Sequence, residues 1–384
     1  MFHLLLTVIY LSFISLGLPD SLLGAAWPTM YTQFNGPVSY AGAVSMIIAL
    51  GTVFSSLQSD RLTRALGTGR VTALSVCTTA VALGGFSVST AFWQLCLWAV
   101  PYGLGAGSVD AALNNYVALH YASRHMSWLH CMWGVGASVG PYVMGLALTG
   151  GRGWAMGYRW VALLQVGLTA ILLLSLPQWK GRGERGEETR GEALSLRQVV
   201  ALPGVREVMT AFCCYSAIEQ TTGLWAVSYL VLHRGMGAED GAGFASLFFL
   251  GITLGRAVCG FLTLKLSDAQ MVRLGEGLIG LGVLVLLLPL GTGSALLGLV
   301  LVGLGCAPVY PSFIHATPAQ FGAEHSQAVI GVQMAAAYVG TCLMPPLFGL
   351  IAQHISVALF PFYLLLALVI MAVAYEKMLK KCGQ

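Results

Sequence analysis

Three acids stand where the chain is otherwise apolar: Asp20 in "SLGLPDSLLGAAWPTM", Asp110 in "GLGAGSVDAALNNYVALH" and Glu219 in "YSAIEQTTGLWAVSYL". A charged group at the centre of a membrane helix costs about 2.5–3.5 kcal/mol on the insertion scale, so three ionised acids facing lipid would cost about 8–10 kcal/mol. Such groups face a polar cavity or carry a proton, because desolvation disfavours the charged form. An acid whose surroundings alternate between wet and dry can gain and lose a proton near neutral pH. The chemistry expected of Asp20, Asp110 and Glu219 is therefore proton coupling.

Helical spacing supplies partners. Asp20, Gly24 and Trp27 share one helical face, as do Asp110 and Asn114, and Tyr215, Glu219 and Gly223. Near Asp110 the chain offers Asn115, and further on His130 and Trp133; the second half offers Gln220, Trp225, Tyr310, Gln333 and Tyr338. Carboxylates and amides bond hydroxyls in several directions, and indoles and phenols stack on the apolar faces of a sugar ring. With the acids, these residues form the expected substrate-binding set, and the mix suits a neutral polyhydroxylated solute. For each the plainer alternative is a brace or packing residue: an isolated acid can hold helices together, and a Trp or Tyr at helical spacing can simply fill the core.

Other chemistries lack their motifs. His120, His125 and His130 are five apart and spread around a helix, so no metal site is expected. "GLGAG" lies inside an apolar helix, without the strand–turn–helix context of a dinucleotide site. No H-E-x-x-H, G-x-S-x-G or P-loop pattern occurs. Nothing here suggests an enzyme or a cofactor.

The elements that hold these residues are membrane helices. Of the 384 residues 57% are hydrophobic and 9% charged, against about 25% charged in soluble domains. Continuous apolar runs of about 20 residues argue against a transmembrane barrel. Twelve runs are read at 4–31, 38–58, 70–89, 92–118, 127–149, 157–176, 206–231, 241–262, 272–290, 294–315, 326–352 and 356–376. The long connection "QWKGRGERGEETRGEALSLRQVV" reads as a solvated linker, so residues 1–176 and 206–384 form two six-helix bundles joined by a linker at 177–205. The nine cysteines form no C-x-x-C pair and read as small buried hydrophobes. The start has no basic residue before its apolar run and no A-x-A-like site, so no cleaved signal peptide is expected.

Basic residues set the orientation. With a cytoplasmic N-terminus the inner side carries Arg61, Arg64, Arg70, Arg124, Lys180, Arg182, Arg185, Arg190, Arg197, Arg206, Lys265, Arg273, Lys377, Lys380 and Lys381. The outer side carries only Arg152, Arg159 and Arg234. This is a positive-inside bias, so the net charge of +4 is topogenic and does not indicate nucleic-acid binding. A multi-pass protein of the cell membrane is expected, monomeric, with both termini cytoplasmic.

The halves repeat at an offset near 200. Gly103, Leu104 and Gly105 meet Gly303, Leu304 and Gly305; Asp20 meets Glu219; Gly136, Pro141 and Gly145 meet Gly340, Pro345 and Gly349. Six plus six helices around a charged linker resembles the major facilitator superfamily. That resemblance implies halves related by an axis along the membrane normal, with substrate near the midplane. The loop "SSLQSDRLTRALGTGR" is similar to the superfamily's G-x-x-x-D-R-x-G-R-R, with Ser56 in place of the first Gly. Asp60, Arg61 and Arg64, with Arg256 from "GRAVCGFLTLKLSD", are accordingly expected at a cytoplasmic gate. For Arg256 a snorkelling helix-end charge is the alternative.

Within the superfamily, "PDSLLGAAWP", "GLGAGSVDAALNNYVALH", "SWLHCMWGVGASVGP" and "YSAIEQTTGLWAVSYL" resemble the fucose–galactose–glucose:proton symporter family. The resemblance implies that Asp20 and Asp110 fall on its coupling carboxylates and that His130 and Trp133 fall on sugar-contacting positions. Asp110 stands where fucose permease has Glu, and Trp133 replaces an amide residue, so the particular sugar does not follow. The expected function is import of a small neutral solute, a sugar, by proton symport with alternating access. Two rivals stay open on the residues alone: a proton-driven drug exporter, whose cations would also use acids and aromatics, and a non-transporting membrane sensor.

Overall fold

The computed structural model describes residues 2–34, 40–187, 194–235 and 238–383. It is helical, with no strand among the described residues. The linker stretch 188–193, including Arg190, lies outside the described residues.

Twelve spans arise from fourteen helices. α1 (Phe2–Asp20) and α2 (Leu22–Gln33) make the first, interrupted at Ser21. The next five are α3 (Tyr40–Leu66), α4 (Thr68–Val88), α5 (Phe92–His120), α6 (Ser123–Thr149) and α7 (Trp154–Glu187). After the short α8 (Leu196–Ala201) come α9 (Val205–Leu232), α10 (Ala238–Leu262), α11 (Asp268–Leu287), α12 (Gly291–Phe321), α13 (Ala323–His354) and α14 (Phe360–Lys381). Among the described residues nine helices are long and apolar enough to cross a membrane by composition alone. α5 and α9 are not among the nine, and they carry Asp110 with its two asparagines and Glu219 with Gln220.

Two expectations change. The stretch containing Asp60, Arg61 and Arg64 is not a loop: α3 runs on to Leu66 and only Gly67, at φ +79°, separates it from α4. An i,i+4 ion pair, Arg64 Nε to Asp60 Oδ2 at 2.8 Å, braces the last turns of α3. The linker at 177–205 is also partly helical. α7 passes through Pro177 to Glu187 because Trp179 keeps a buried seat: its indole donates to Ser175 Oγ at 3.0 Å and its ring packs on Tyr116. α8 is started by a capping box of Ser195 and Gln198.

The chain forms two units. The first is Met1–Tyr116 with Leu129–Ala193; the second is Leu194–Gln384 together with Val117–Trp128. Each repeats the same close helix approaches. A Cβ at Gly103 would stand 2.2 Å from the Ile48 carbonyl oxygen, and one at Gly303 would stand 2.3 Å from that of Phe248. A Cβ at Gly136 would stand 2.1 Å from Ile14 O, and one at Gly340 would stand 2.4 Å from Cys213 O. Gly105 and Gly305 meet Ser75 O and Gly275 O in the same way. Small residues let membrane helices touch backbone to backbone, and the paired positions realise the internal duplication in three dimensions. Gly136→Leu and Gly340→Leu each force a helix pair apart. Both should lower thermal stability in detergent by about 1–3 kcal/mol, whereas Gly84→Leu, which meets open space, should be near neutral.

Segment 117–128 is clasped within the second unit. Ser123 Oγ donates to Asp268 Oδ1 at 2.5 Å, and His315 Nδ1 meets Asp268 Oδ2 at 2.6 Å. His315 Nε2 lies 3.1 Å from the Tyr121 carbonyl oxygen. Both ring nitrogens face acceptors, an arrangement that only the doubly protonated imidazolium satisfies fully. Ser267 and Gln270 cap α11 and so fix Asp268 in its first turn.

Candidate functional site

In the first unit the site begins with a proline. Pro19 has no N–H, so it cannot bond the carbonyl four residues back, that of Ser15. Gln165 of α7 repairs the ladder: its Nε2 donates to Ser15 O at 2.9 Å, and its Oε1 accepts from Thr79 Oγ1 at 2.5 Å. Freed backbone groups at membrane depth need such substitutes. The break that follows at Ser21 presents Asp20 on the end of α1.

Asp20 is exposed, and each of its oxygens holds one donor. Tyr102 of α5 donates to Oδ1 at 2.9 Å, and the Trp133 indole of α6 donates to Oδ2 at 3.0 Å. Two donors match the ionised, acceptor-only carboxylate, which keeps lone pairs for hydroxyls of a ligand.

Asp110 is sealed by contrast, at 6% exposure. Asn114 Nδ2 donates to Asp110 Oδ1 at 2.8 Å and to the Asp110 backbone oxygen at 3.0 Å. With the amide NH2 so used, Asn114 Oδ1 is the acceptor for His130 Nε2 at 3.0 Å, which assigns the proton to that ring nitrogen. Phe13 meets the His130 ring edge-on at 5.4 Å. Asp110, Asn114 and His130 thus form one buried chain, with Asn115 buried next to it.

The second unit builds a different centre at the repeat-related position. Glu219 Oε2 accepts from the Tyr215 hydroxyl, which also reaches Cys306 O at 3.2 Å. Arg256 Nη2 lies 3.7 Å from Glu219 Oε1, with both side chains largely buried. Tyr310 packs on Phe212 and Tyr215, and its hydroxyl meets Met334 Sδ at 3.0 Å. Arg256, expected at the gate, is therefore placed beside Glu219. The reason is burial: Arg256 is 5% exposed inside α10, and a desolvated guanidinium needs an anion.

Other expected residues fall elsewhere. Trp27 is buried in the apolar cluster of Leu22, Ala26 and Met30, with its ring against Phe92. Trp225 ties α9 to α13 through Nε1 to Pro345 O at 2.9 Å and packs on Phe348. Gln333 is fully buried and accepts from Thr317 at 3.1 Å. Gln220 is exposed and Tyr338 half-buried. Arg61 is exposed at the end of α3. Sequence reasoning did not single out Tyr102 or Gln165; the one available signal was a polar group on an otherwise apolar span.

Helix bundles with an exposed acid at a helix break and buried acids on polar helices are the build of a multi-pass membrane transporter. The family model for the Major Facilitator Superfamily matches residues 9–345, and the chain belongs to that family. It is 23% identical over 287 residues to "Bypass of stop codon protein 6" of Saccharomyces cerevisiae, covering 67% of this chain and 56% of the yeast protein. It is 24% identical over 344 residues to "Uncharacterized transporter y4wD" of Sinorhizobium fredii, covering 86% and 87% of the two chains. The solved structure of the E. coli fucose:proton symporter FucP matches the fold with a TM-score of 0.74 at 15% identity, covering 99% and 98%. A bacterial homologue of the iron transporter ferroportin, in an outward-facing state, matches with 0.78 at 15% identity, covering 99% of each.

Proposed function

We propose that the chain imports a small neutral polyhydroxylated solute, a sugar, together with protons. The observation that carries the reading is Asp20: an exposed carboxylate at a helix break, oriented by a phenol and an indole, with acceptor capacity left for hydroxyls. Trp133 supplies a flat apolar ring beside it. Asp110 is the second coupling acid, sealed and tied to His130 through Asn114. Neutralising both acids removes the cost of enclosing charge, which permits access to alternate. The fucose:proton symporter among the structural relatives supports the same reading.

Glu219 takes a different part in this proposal. Beside Arg256 and under the Tyr215 hydroxyl it pairs with the guanidinium and orders the second unit, leaving coupling to the first. The gate set contracts to Asp60, Arg61 and Arg64. The basic side faces the cytoplasm, with both termini there.

Uptake by purified protein in vesicles, measured against pH for a panel of sugars and of lipophilic cations, tests the reading. Sugar-dependent proton entry is the expected result. Exchange of a cation for protons would replace it with a drug exporter.

A further inference from the structure

Tyr102 lies between two environments. On one side its hydroxyl donates to the exposed Asp20. On the other it lines a small cavity of about 10 Å³ inside the first unit, room for about one water, where Ser12, Ser15, Thr79 and Gln165 stand among apolar Leu16, Pro19, Val76 and Val109. The polar groups in this mainly apolar lining have a covalent reason: Pro19 leaves the Ser15 carbonyl to Gln165, and Gln165 needs Thr79. Hydroxyl, carbonyl and amide groups are therefore among the residues that share this space with Tyr102.

We propose that Tyr102 is a hydroxyl rotor that sets the proton affinity of Asp20, a positioning role that rests on the proton-coupling reading above. When Asp20 is ionised, the phenol O–H donates to Oδ1. When a proton from water binds Oδ1, the new carboxylic O–H donates to the phenol oxygen. The phenol hydrogen then turns about its C–O bond toward the cavity, where one water held by the polar lining groups accepts it. No bond other than the added O–H is made, and charge balances with the single proton gained. Both protonation states of Asp20 are thus hydrogen-bonded, and the ionised state is favoured by a donor that Phe could not offer.

Infrared titration of the purified full-length chain, which needs no substrate, tests this. The protonated-carboxyl band of Asp20 is assigned as the band missing in Asp20→Asn. Tyr102→Phe removes a donor to the charged form and should move the midpoint of that band to higher pH by about one unit, a tenfold gain in proton affinity. Tyr158→Phe, a buried tyrosine on α7, should leave it in place. An unchanged or lowered midpoint in Tyr102→Phe overturns the rotor while leaving proton coupling at Asp20 intact. An equal shift in both variants assigns the effect to loosened packing and also overturns it. If Asp20→Asn removes no titrating band between pH 4 and 9, the coupling reading fails and the rotor with it.

Discussion

Asp20→Asn should abolish gradient-driven accumulation while leaving downhill equilibration measurable. If one proton accompanies each solute, every unit of inward pH difference sustains about a tenfold concentration ratio. Across two units the native chain should therefore reach about a hundredfold accumulation by the same relation, and the variant should stop at a ratio near one. The substitution keeps shape but not chemistry. Asparagine has one acceptor oxygen where the carboxylate has two. If that oxygen keeps the Tyr102 hydroxyl, the amide NH2 faces the Trp133 indole N–H, donor against donor. The variant should accordingly also bind solute more weakly, seen as a raised KM for exchange at equal pH on both sides. Wild-type accumulation in this variant would remove Asp20 from the coupling path.

Much of the framework behind that experiment is written in the chain at short range. Helix length against bilayer thickness gives twelve spans, and the repeated glycines give the duplication, because Gly103 and Gly303 meet equivalent carbonyl oxygens on Ile48 and Phe248. The acids are visible for the opposite reason, since charge in an apolar run is costly. What spacing along one helix could not give is the identity of the neighbour across the gap. Trp27 shares a face with Asp20 in projection, yet the break at Ser21 separates α1 from α2 and Trp27 joins an apolar cluster. Gln333 looked available and is sealed against Thr317. Tyr102 and Gln165 act across helices, on Asp20 and on the carbonyl freed by Pro19, and no local pattern announces such partners. The charged stretch after residue 176 hid a continued helix because a single buried indole, Trp179, outweighs the proline beside it.

The same cross-helix logic gives the second large effect. Arg256→Leu leaves Glu219 largely buried without its guanidinium, and removing one member of a buried ion pair costs about 3–5 kcal/mol. The variant should unfold at markedly lower temperature in detergent. Adding Glu219→Gln should recover most of the loss, because the amide can still accept from Tyr215 and no buried charge is stranded. Non-additivity in this double-mutant cycle measures the pair directly. Function separates the two parts a membrane acid can play. If Glu219 were a third proton carrier, the double variant would lose gradient-driven accumulation as Asp20→Asn does. A neutral pair that stays folded and still accumulates solute about tenfold per pH unit would confine coupling to Asp20 and Asp110. A stable Arg256→Leu single variant would instead mean that Glu219 does not depend on its arginine, and the charge balance drawn for the second unit would be wrong.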